Sequence, residues 1–516
     1  MRRIFKETGR AIRRVTLSRI QKVTLIEPRP PGCHVYSRFA LPRLGLPILG
    51  AMLKKNGMDV SIYCQDIHPI DIEEVLASEL VGISTTTSTA PEAYRIAKLV
   101  KQAGIPVVMG GSHVTFLPDE ALEHADFCVR GEGEHTFSEL IDAIDANSGF
   151  DSINGLSYRV GTDVYHNPDS GLIKDLDSLP FPDLSLIKGQ EKIALDPIIT
   201  SRGCPYDCSF CSVTPMFGRV CRYRDTEQVI EELRNTKRKM TFFYDDNFCS
   251  NRDRTKTLLD RMLSEGICRP WCAQVRADVV RDRELIKLFA ESGCWVLYIG
   301  FESASAETLA EYNKHQSIEE MAEAVRILHE NQILVHGMFV LGADSDNTQG
   351  IRGTVDFAMK NGVDTAQFMA LTPLPGTVYY NELVRQNRLL TRDWQLYDGH
   401  HVVYQPRRIS SYELQREAFR AMKRFYSLRE CAKMLIGFDF AKFIAVLNWN
   451  LLRGKWRRAS WQIETRARKW LYTAYGHFAI RRVEAASKEW TQALSKVALR
   501  IRESLKSPSD KLKNNV

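Results

Sequence analysis

From Val23 the chain alternates short apolar runs with amphipathic stretches. VTLIEP, LGLPILGAMLKKNG, DVSIYCQD, LVGISTTT, AYRIAKLVKQAG, IPVVMGG and DFCVRGEGE follow one another in order. Apolar runs of strand length, separated by helical segments that end in glycine, predict βα units and hence a parallel sheet covered on both faces. This α/β pattern defines a first domain over residues 20–150, behind a basic extension over 1–19. Residues 151–195 (NGLSYRV, then DLDSLPFPDLS) carry turn signals and prolines and read as a connector.

A second series fills residues 196–395: PIITSRG, MTFFYDDN, WCAQVRAD, WVLYIGFES, ILVHGMFVLG and DTAQFMALTPLPG, separated by helical stretches such as SIEEMAEAVRILHENQ. A closed eightfold barrel takes about 250 residues, so six repeats predict a partial (β/α)6 barrel. Residues 396–516 read as a helical, basic extension, in which Trp449, Trp456, Trp461 and Trp470 recur among Arg and Lys at helical spacing.

The length of 516 residues demands more than one core. Twelve cysteines are too sparse for a disulfide scaffold, so reduced thiols and a cytoplasmic setting are expected. The basic N-terminus lacks the apolar region of a secretory signal, and no apolar run approaches the roughly 20 residues that span a bilayer. The net charge of +7 is uneven: residues 451–516 hold sixteen Lys/Arg against five Asp/Glu, and residues 1–22 hold eight against one. Basic ends on an acidic body suggest an anionic surface as partner. Aromatic residues spaced for helix packing, without a recognised binding motif, argue against nucleic acid.

Candidate chemistry concentrates in SRGCPYDCSFCSV, where Cys204, Cys208 and Cys211 fall within eight residues. A zinc clasp, a disulfide pair with a spare thiol and an iron–sulfur cluster are all open. A closed zinc site wants four ligands in paired knuckles, and Cys221 and Cys249, the candidates for a fourth, lie outside any knuckle. Three thiolates on a four-iron cluster leave one iron open. Cys33, Cys64, Cys128, Cys249, Cys294 and Cys431 lie in apolar contexts and read as small core residues, and Cys268 and Cys272 are too few to hold a second cluster.

The loop RGCPYDCSFC, with aromatic Phe210 before the third cysteine, resembles the cluster loop of the radical S-adenosylmethionine (SAM) superfamily. The resemblance implies a [4Fe-4S] cluster on Cys204, Cys208 and Cys211, with SAM chelated by the open iron. FYDDNF (243–248) and GFES (300–303) resemble the family's SAM-binding strand ends. They imply Phe210, Tyr244, Asp245, Glu302 and Ser303 as SAM contacts, with Asp246 on the rim. A solvated strand-end turn is the plainer reading of the two aspartates.

Residues 20–150 look like the Rossmann-like cobalamin-binding domain that precedes the cluster domain in one radical SAM class, the class of the hopanoid methylases and the anaerobic magnesium-protoporphyrin monomethyl ester cyclase. By position, the resemblance implies Ser84, Thr85, Thr86, Gly110, Gly111, Gly131 and Gly133 as the corrinoid lining. DIHPID (66–71) imitates the histidine motif of other cobalamin domains but follows the second strand and ends in Asp, so His68 reads as a loop residue.

The resemblance implies an enzyme that functionalises an unactivated carbon of a small molecule and draws electrons from a donor such as a flavodoxin or ferredoxin. Methylation of a lipophilic substrate is expected, with oxidative cyclisation of a tetrapyrrole or lipid as the alternative. A non-catalytic cobalamin or zinc protein is the alternative of another class. The Trp- and Arg-bearing extension either caps the barrel or touches an anionic membrane at its inner face.

Overall fold

The structure, a computed structural model, describes residues 19–30, 32, 40–236, 238–436 and 453–505. Residues 1–18 of the basic extension, Cys33 and Trp449 therefore lie outside the described residues. In the first domain β1 (Lys22–Glu27), β2 (Asp59–Cys64), β3 (Leu80–Ser84), β4 (Val107–Gly110) and β5 (Phe127–Val129) run parallel. Helices α1 (Gly45–Lys55), α2 (Ala90–Gln102) and α3 (Glu134–Ala146) cover the sheet, and separate apolar clusters pack on its two faces. The near-continuous apolar strands follow from burial on both sides: Val23, Leu25, Ile26, Leu80 and Val81 are wholly enclosed.

The 151–195 stretch does more than connect, which corrects the sequence expectation. β6 (Leu156–Val160) and β7 (Asp163–His166) form a hairpin that joins the first sheet, in the order β2-β1-β3-β4-β5-β6-β7. Its signal was a short alternation across Gly161-Thr162, masked by the flanking turn residues.

The second sheet holds β8 (Asp196–Ile198), followed by the small antiparallel pair β9 (Ser201–Arg202) and β10 (Arg222–Tyr223). It continues with β11 (Thr241–Phe243), β12 (Trp271–Val275), β13 (Cys294–Glu302), β14 (Leu334–Leu341) and β15 (Thr365–Ala370). Six strands run parallel in the order β15-β14-β13-β12-β11-β8, and β8 and β15 remain edges. The fold class is thus a Rossmann-like domain followed by a partial barrel, as expected. Helices α4 (Thr226–Asn235), α5 (Arg252–Ser264), α6 (Arg283–Glu291), α7 (Ile318–Glu330), α8 (Thr348–Lys360) and α9 (Val378–Arg385) surround it. Trp271, fully buried, meets Phe243, Phe248 and Phe289 with ring centroids 5.3–5.5 Å apart in the core beneath them.

Helicity at the C-terminal end begins at Ser411, later than the sequence reading placed it. Residues 397–410 form a loop that bridges back to Leu389 through Tyr404. Beyond it lie α10 (Ser411–Phe425), α11 (Leu428–Ile436), α12 (Arg453–Ala486) and α13 (Lys488–Leu505). The Ser410–Glu413 capping box starts α10. Tyr426 fastens its end to β15, its hydroxyl accepting from Ala366 N–H and donating to Ala366 C=O, each at 2.8 Å. Among the described residues no helix is long and apolar enough to cross a membrane.

Candidate functional site

The cysteine loop leaves β9 through Gly203. Its φ is +91°, and a Cβ there would stand 2.4 Å from Val220 O, so only glycine turns this corner. The loop is pinned by the barrel around it. Ser209 N–H donates to Tyr312 O (3.2 Å), Tyr379 N–H to Ser209 O (3.1 Å) and Asn313 Nδ2 to Asp207 Oδ1 (2.7 Å). Phe210 stands edge-on to Tyr312 at 4.9 Å, and the Arg276 guanidinium lies 3.8 Å over the Tyr206 ring.

All eleven described cysteines are free thiols. Cys204, Cys208 and Cys211 are partly exposed, whereas Cys64, Cys128, Cys249, Cys272, Cys294 and Cys431 are buried. Cys221 is turned away, its thiol donating to Gly203 O at 3.3 Å. Burial raises the pKa of all three loop thiols, that of Cys211 to about 12, while Lys314 opposes the rise at Cys208. Without a metal's positive charge the loop holds neutral thiols, so metal binding and thiolate formation must occur together. No three His, Cys, Asp or Glu side chains among the described residues converge on a single ion. A cubane, wider than one ion, takes thiols set farther apart. The rigid, partly open triad fits such a cluster.

Beside Cys208 lies a buried ion pair. Glu302 ends β13 at φ +63°, where the β13–β14 register shifts. Its carboxylate meets Lys314 Nζ at 2.7 Å, with both side chains 8% exposed. A Cβ at Gly300 would lie 2.4 Å from Glu302 Oε1, so the pair needs glycine at that position. A left-handed glutamate costs about 1 kcal/mol or more and marks a place where side-chain direction matters.

Two expected SAM contacts are hydrogen-bonded within the protein, Asp245 with its Oδ2 left unpartnered. Asp245 is fully buried, its Oδ1 accepting from Thr200 N–H (3.1 Å), Thr200 Oγ1 (3.1 Å) and Ser201 Oγ (2.5 Å). It braces the strand leading into the cysteine loop. Its neighbour Asp246 faces the cavity, accepts from Gly203 N–H at 3.3 Å and is pushed up to about 6 by burial. Ser303 is buried, its hydroxyl taken by Ser305 N–H (3.2 Å) and Thr354 Oγ1 (3.5 Å), so it supports the turn rather than reaching a ligand.

In the first domain strand order reverses between β1 and β3, and at this switch point ligands bind beyond the carboxyl ends of the strands. A cavity of about 350 Å³ opens there. Ser84, Gly110, Gly111, Gly131 and Gly133 line its mouth, Leu25, Val108 and Phe137 its apolar depth, and Met216, Tyr244 and Asp246 its barrel side. At Gly111 (φ +96°) a Cβ would stand 2.5 Å from Thr85 O. Thr85 lies fully buried beneath Gly111, outside this lining, with its hydroxyl unpartnered. A glycine-rich rim over an apolar depth fits the nucleotide tail of a corrinoid. His68 lies in neither cavity lining, its Nδ1 2.7 Å from Pro69 O.

A larger cavity of about 1140 Å³ adjoins the first, and Arg43 and Tyr244 line both. Glu27, Arg29, Gln65 and Thr86 give its first-domain wall. Phe210 and Ser212 of the cysteine loop, with Val340, Met369 and Leu371, give the barrel wall. One charged side chain breaks that wall: Asp398, held by N–H groups of His400 (2.8 Å) and His401 (3.1 Å) and by His401 Nδ1 (2.9 Å). Arg43 is fixed to Glu27 at 3.1 Å.

A buried ionic network ties the two sites together. Arg202, next to Gly203, meets Glu132 (2.9 Å) and Glu134 (2.5 Å) of the glycine-rich loop, and Arg222 meets Glu132 at 2.6 Å. All four side chains are at most 9% exposed. Burial opposes these charges, and mutual pairing overcomes it, raising the pKa of Arg202 and lowering that of Glu132. Sequence reading missed Arg202, Arg276, Lys314 and Asp398. Their only signal was a charged residue at the end of an apolar run or in a glycine turn.

Comparison with known proteins agrees with this geometry. Residues 35–141 match the B12 binding domain family and residues 198–358 the radical SAM superfamily. The chain is 33% identical over 404 residues to an uncharacterized methyltransferase of Pyrococcus horikoshii, covering 75% of this chain and 88% of that protein. It is 29% identical to an anaerobic magnesium-protoporphyrin IX monomethyl ester cyclase of Cereibacter sphaeroides (75% of this chain, 67% of that one). It is 27% identical to the hopanoid C-3 methylase of Methylococcus capsulatus (86% and 87%). The solved structure of the cobalamin-dependent SAM radical enzyme OxsB, with aqua-cobalamin and SAM bound, shares the fold at a TM-score of 0.64 and 17% identity, over 94% of this chain and 76% of that one. Two cofactor domains meeting across one cleft, with these matches, establish that the chain belongs to the radical SAM superfamily, in the group that carries a B12-binding domain ahead of the cluster domain.

Proposed function

We propose that the protein is a C-methyltransferase acting on a largely apolar small molecule. The observation that carries this reading is the continuity of the cleft: Tyr244 and Arg43 line both cavities, and Phe210 and Ser212 bring the cysteine loop to the larger one. When bound, the cluster with SAM supplies one-electron chemistry able to activate a C–H bond, and cobalamin supplies a transferable methyl group.

The chain's own residues orient and enclose. Cys204, Cys208 and Cys211 hold the cluster, and Phe210, Tyr244 and Glu302, with Lys314 and Asp246, surround SAM. Ser84, Thr86, Gly110, Gly111, Gly131 and Gly133 receive the corrinoid. Val340, Met369 and Leu371 give the substrate an apolar bed from which water is displaced, and Asp398 accepts from a hydrogen-bond donor on it. The relation to the hopanoid methylase supports a lipophilic substrate. Electrons come from a small donor such as a flavodoxin or ferredoxin, and the protein works in the cytoplasm at the inner face of the membrane.

The test is anaerobic incubation of the reconstituted protein with methyl-labelled SAM, a strong reductant and lipid extract of the host. Label in a new carbon-bound methyl group supports the reading. Its absence, with a dehydrogenated or ring-closed product instead, supports the cyclase reading that the Cereibacter relative favours.

A further inference from the structure

The two C-terminal helices have one face explained by packing and one face that is not. Inward, α12 buries Thr473, Ile480 and Val483 against the barrel. Lys469 Nζ donates to Gly362 O (3.0 Å) and Val363 O (2.9 Å), and the Arg468 guanidinium lies 5.1 Å over Trp295. From α13, Leu494 is buried and Trp490 Nε1 donates to Val402 O at 3.1 Å. This face caps the barrel, one of the two roles that the sequence left open.

Outward, the same helices expose Leu471 (58%) and Phe478 (62%), two turns apart on one side of α12, and Leu499 (57%) on α13. Such side chains are not left in water without reason when they cluster. The cations here also differ from those of the barrel. On the barrel helices Arg261, Arg326 and Arg385 each pair with a carboxylate. Arg481, Arg482, Lys488, Lys496 and Arg500 are exposed and form no ion pair among the described residues.

We propose that the outer face of α12 and α13 docks the protein on an anionic lipid surface. Exposed leucine and phenylalanine need an apolar medium, and the unpaired arginines and lysines need negative charge in the same plane. The interface of a bilayer containing acidic phospholipids offers both. Nucleic acid would answer the cations and leave Leu471 and Phe478 in water. At 1.5 Å per residue α12 spans ~50 Å, enough to lay several turns along a membrane. The proposal is independent of the reaction assigned above, because docking requires neither cofactor nor turnover.

Co-sedimentation of the full-length protein with vesicles tests it, using phosphatidylcholine alone and phosphatidylcholine mixed with phosphatidylglycerol. The protein is expected to pellet with the mixed vesicles, to release as salt rises, and to stay in solution with the neutral ones. R481Q/R482Q should weaken binding ~25-fold, each cation near the surface contributing about fivefold. L471S/F478S should weaken it without changing its salt dependence. Both pairs lie on the exposed surface, and unchanged circular dichroism melting verifies folding. No pelleting with either vesicle, equal pelleting with both, or double variants that bind like the parent would overturn the proposal. So would binding to polyglutamate that matches the anionic vesicles and ignores L471S/F478S, which would mark an acidic protein as the partner.

Discussion

Glu302 holds a strained backbone so that its carboxylate can reach Lys314 beside the cysteine loop. Removing the cation would leave that buried carboxylate uncompensated. Lys314→Met is therefore expected to cost about 3–5 kcal/mol in urea unfolding of the cofactor-free protein. Cys208→Ala is expected to abolish cluster assembly, read as iron and sulfide per chain after anaerobic reconstitution, while cobalamin is retained. A second titrating group lies lower in the barrel. His336 on β14 packs on Tyr298 at 4.8 Å, and burial pushes its pKa from 6.5 down to about 4. The unfolded chain then binds more protons between those values. The stability this group contributes is whole above pH 6.5 and is lost as pH falls toward 4, by about 3 kcal/mol in full. His336→Gln should flatten that limb of the stability–pH curve, measured by denaturation at a series of pH values. Of the side chains around the cleft, the cysteines and Glu302 could be singled out from sequence because each sits inside a short motif. Lys314 and Arg276 could not, because their roles arise from the way separate strands converge. Asp245 and Ser303 lie buried at their strand ends, because a motif gives position along a strand end, not which way each side chain faces.

The two cofactor loops are joined by charge rather than by apolar packing. Arg202 of β9 meets Glu132 and Glu134 after β5, and Arg222 of β10 meets Glu132, in one buried chain of charges. Arg202→Met would strand the Glu134 carboxylate in the domain interface and leave Glu132 with Arg222 alone. It is expected to destabilise the protein by about 3–5 kcal/mol and to loosen cobalamin binding along with cluster loading. Gly111→Ala should act on one site alone. Its Cβ would meet the Thr85 backbone at 2.5 Å in a left-handed conformation, so cobalamin retention on dialysis should fall while iron content stays normal. Elements were read from sequence where period and burial agreed, as in β1 through β5. The β6–β7 hairpin was hidden because Gly-, Asn- and Asp-bearing turns flank strands of only five and four residues. The loop over 397–410 was hidden because its apolar side chains, Val402, Val403 and Tyr404, are buried without helical period.

Across the whole molecule, the first sheet presents its switch point, and the barrel its cysteine loop, to one cleft. The C-terminal helices pack elsewhere on the barrel and display apolar and cationic side chains outward. The domain plan was legible because each sheet is written as its own series of βα units. The domain interface was not, since Arg202 and Glu132 are 70 residues apart in sequence. The central claim is that cluster, SAM, cobalamin and substrate work together in this cleft to transfer a methyl group. The most direct test is to quantify 5′-deoxyadenosine and S-adenosylhomocysteine together from one anaerobic reaction of the reconstituted protein with SAM, reductant and lipid extract. The account predicts both products in equal amounts, one SAM consumed as oxidant and one as methyl donor per turnover. 5′-Deoxyadenosine without S-adenosylhomocysteine would contradict methyl transfer, and neither product would contradict radical SAM catalysis by this protein.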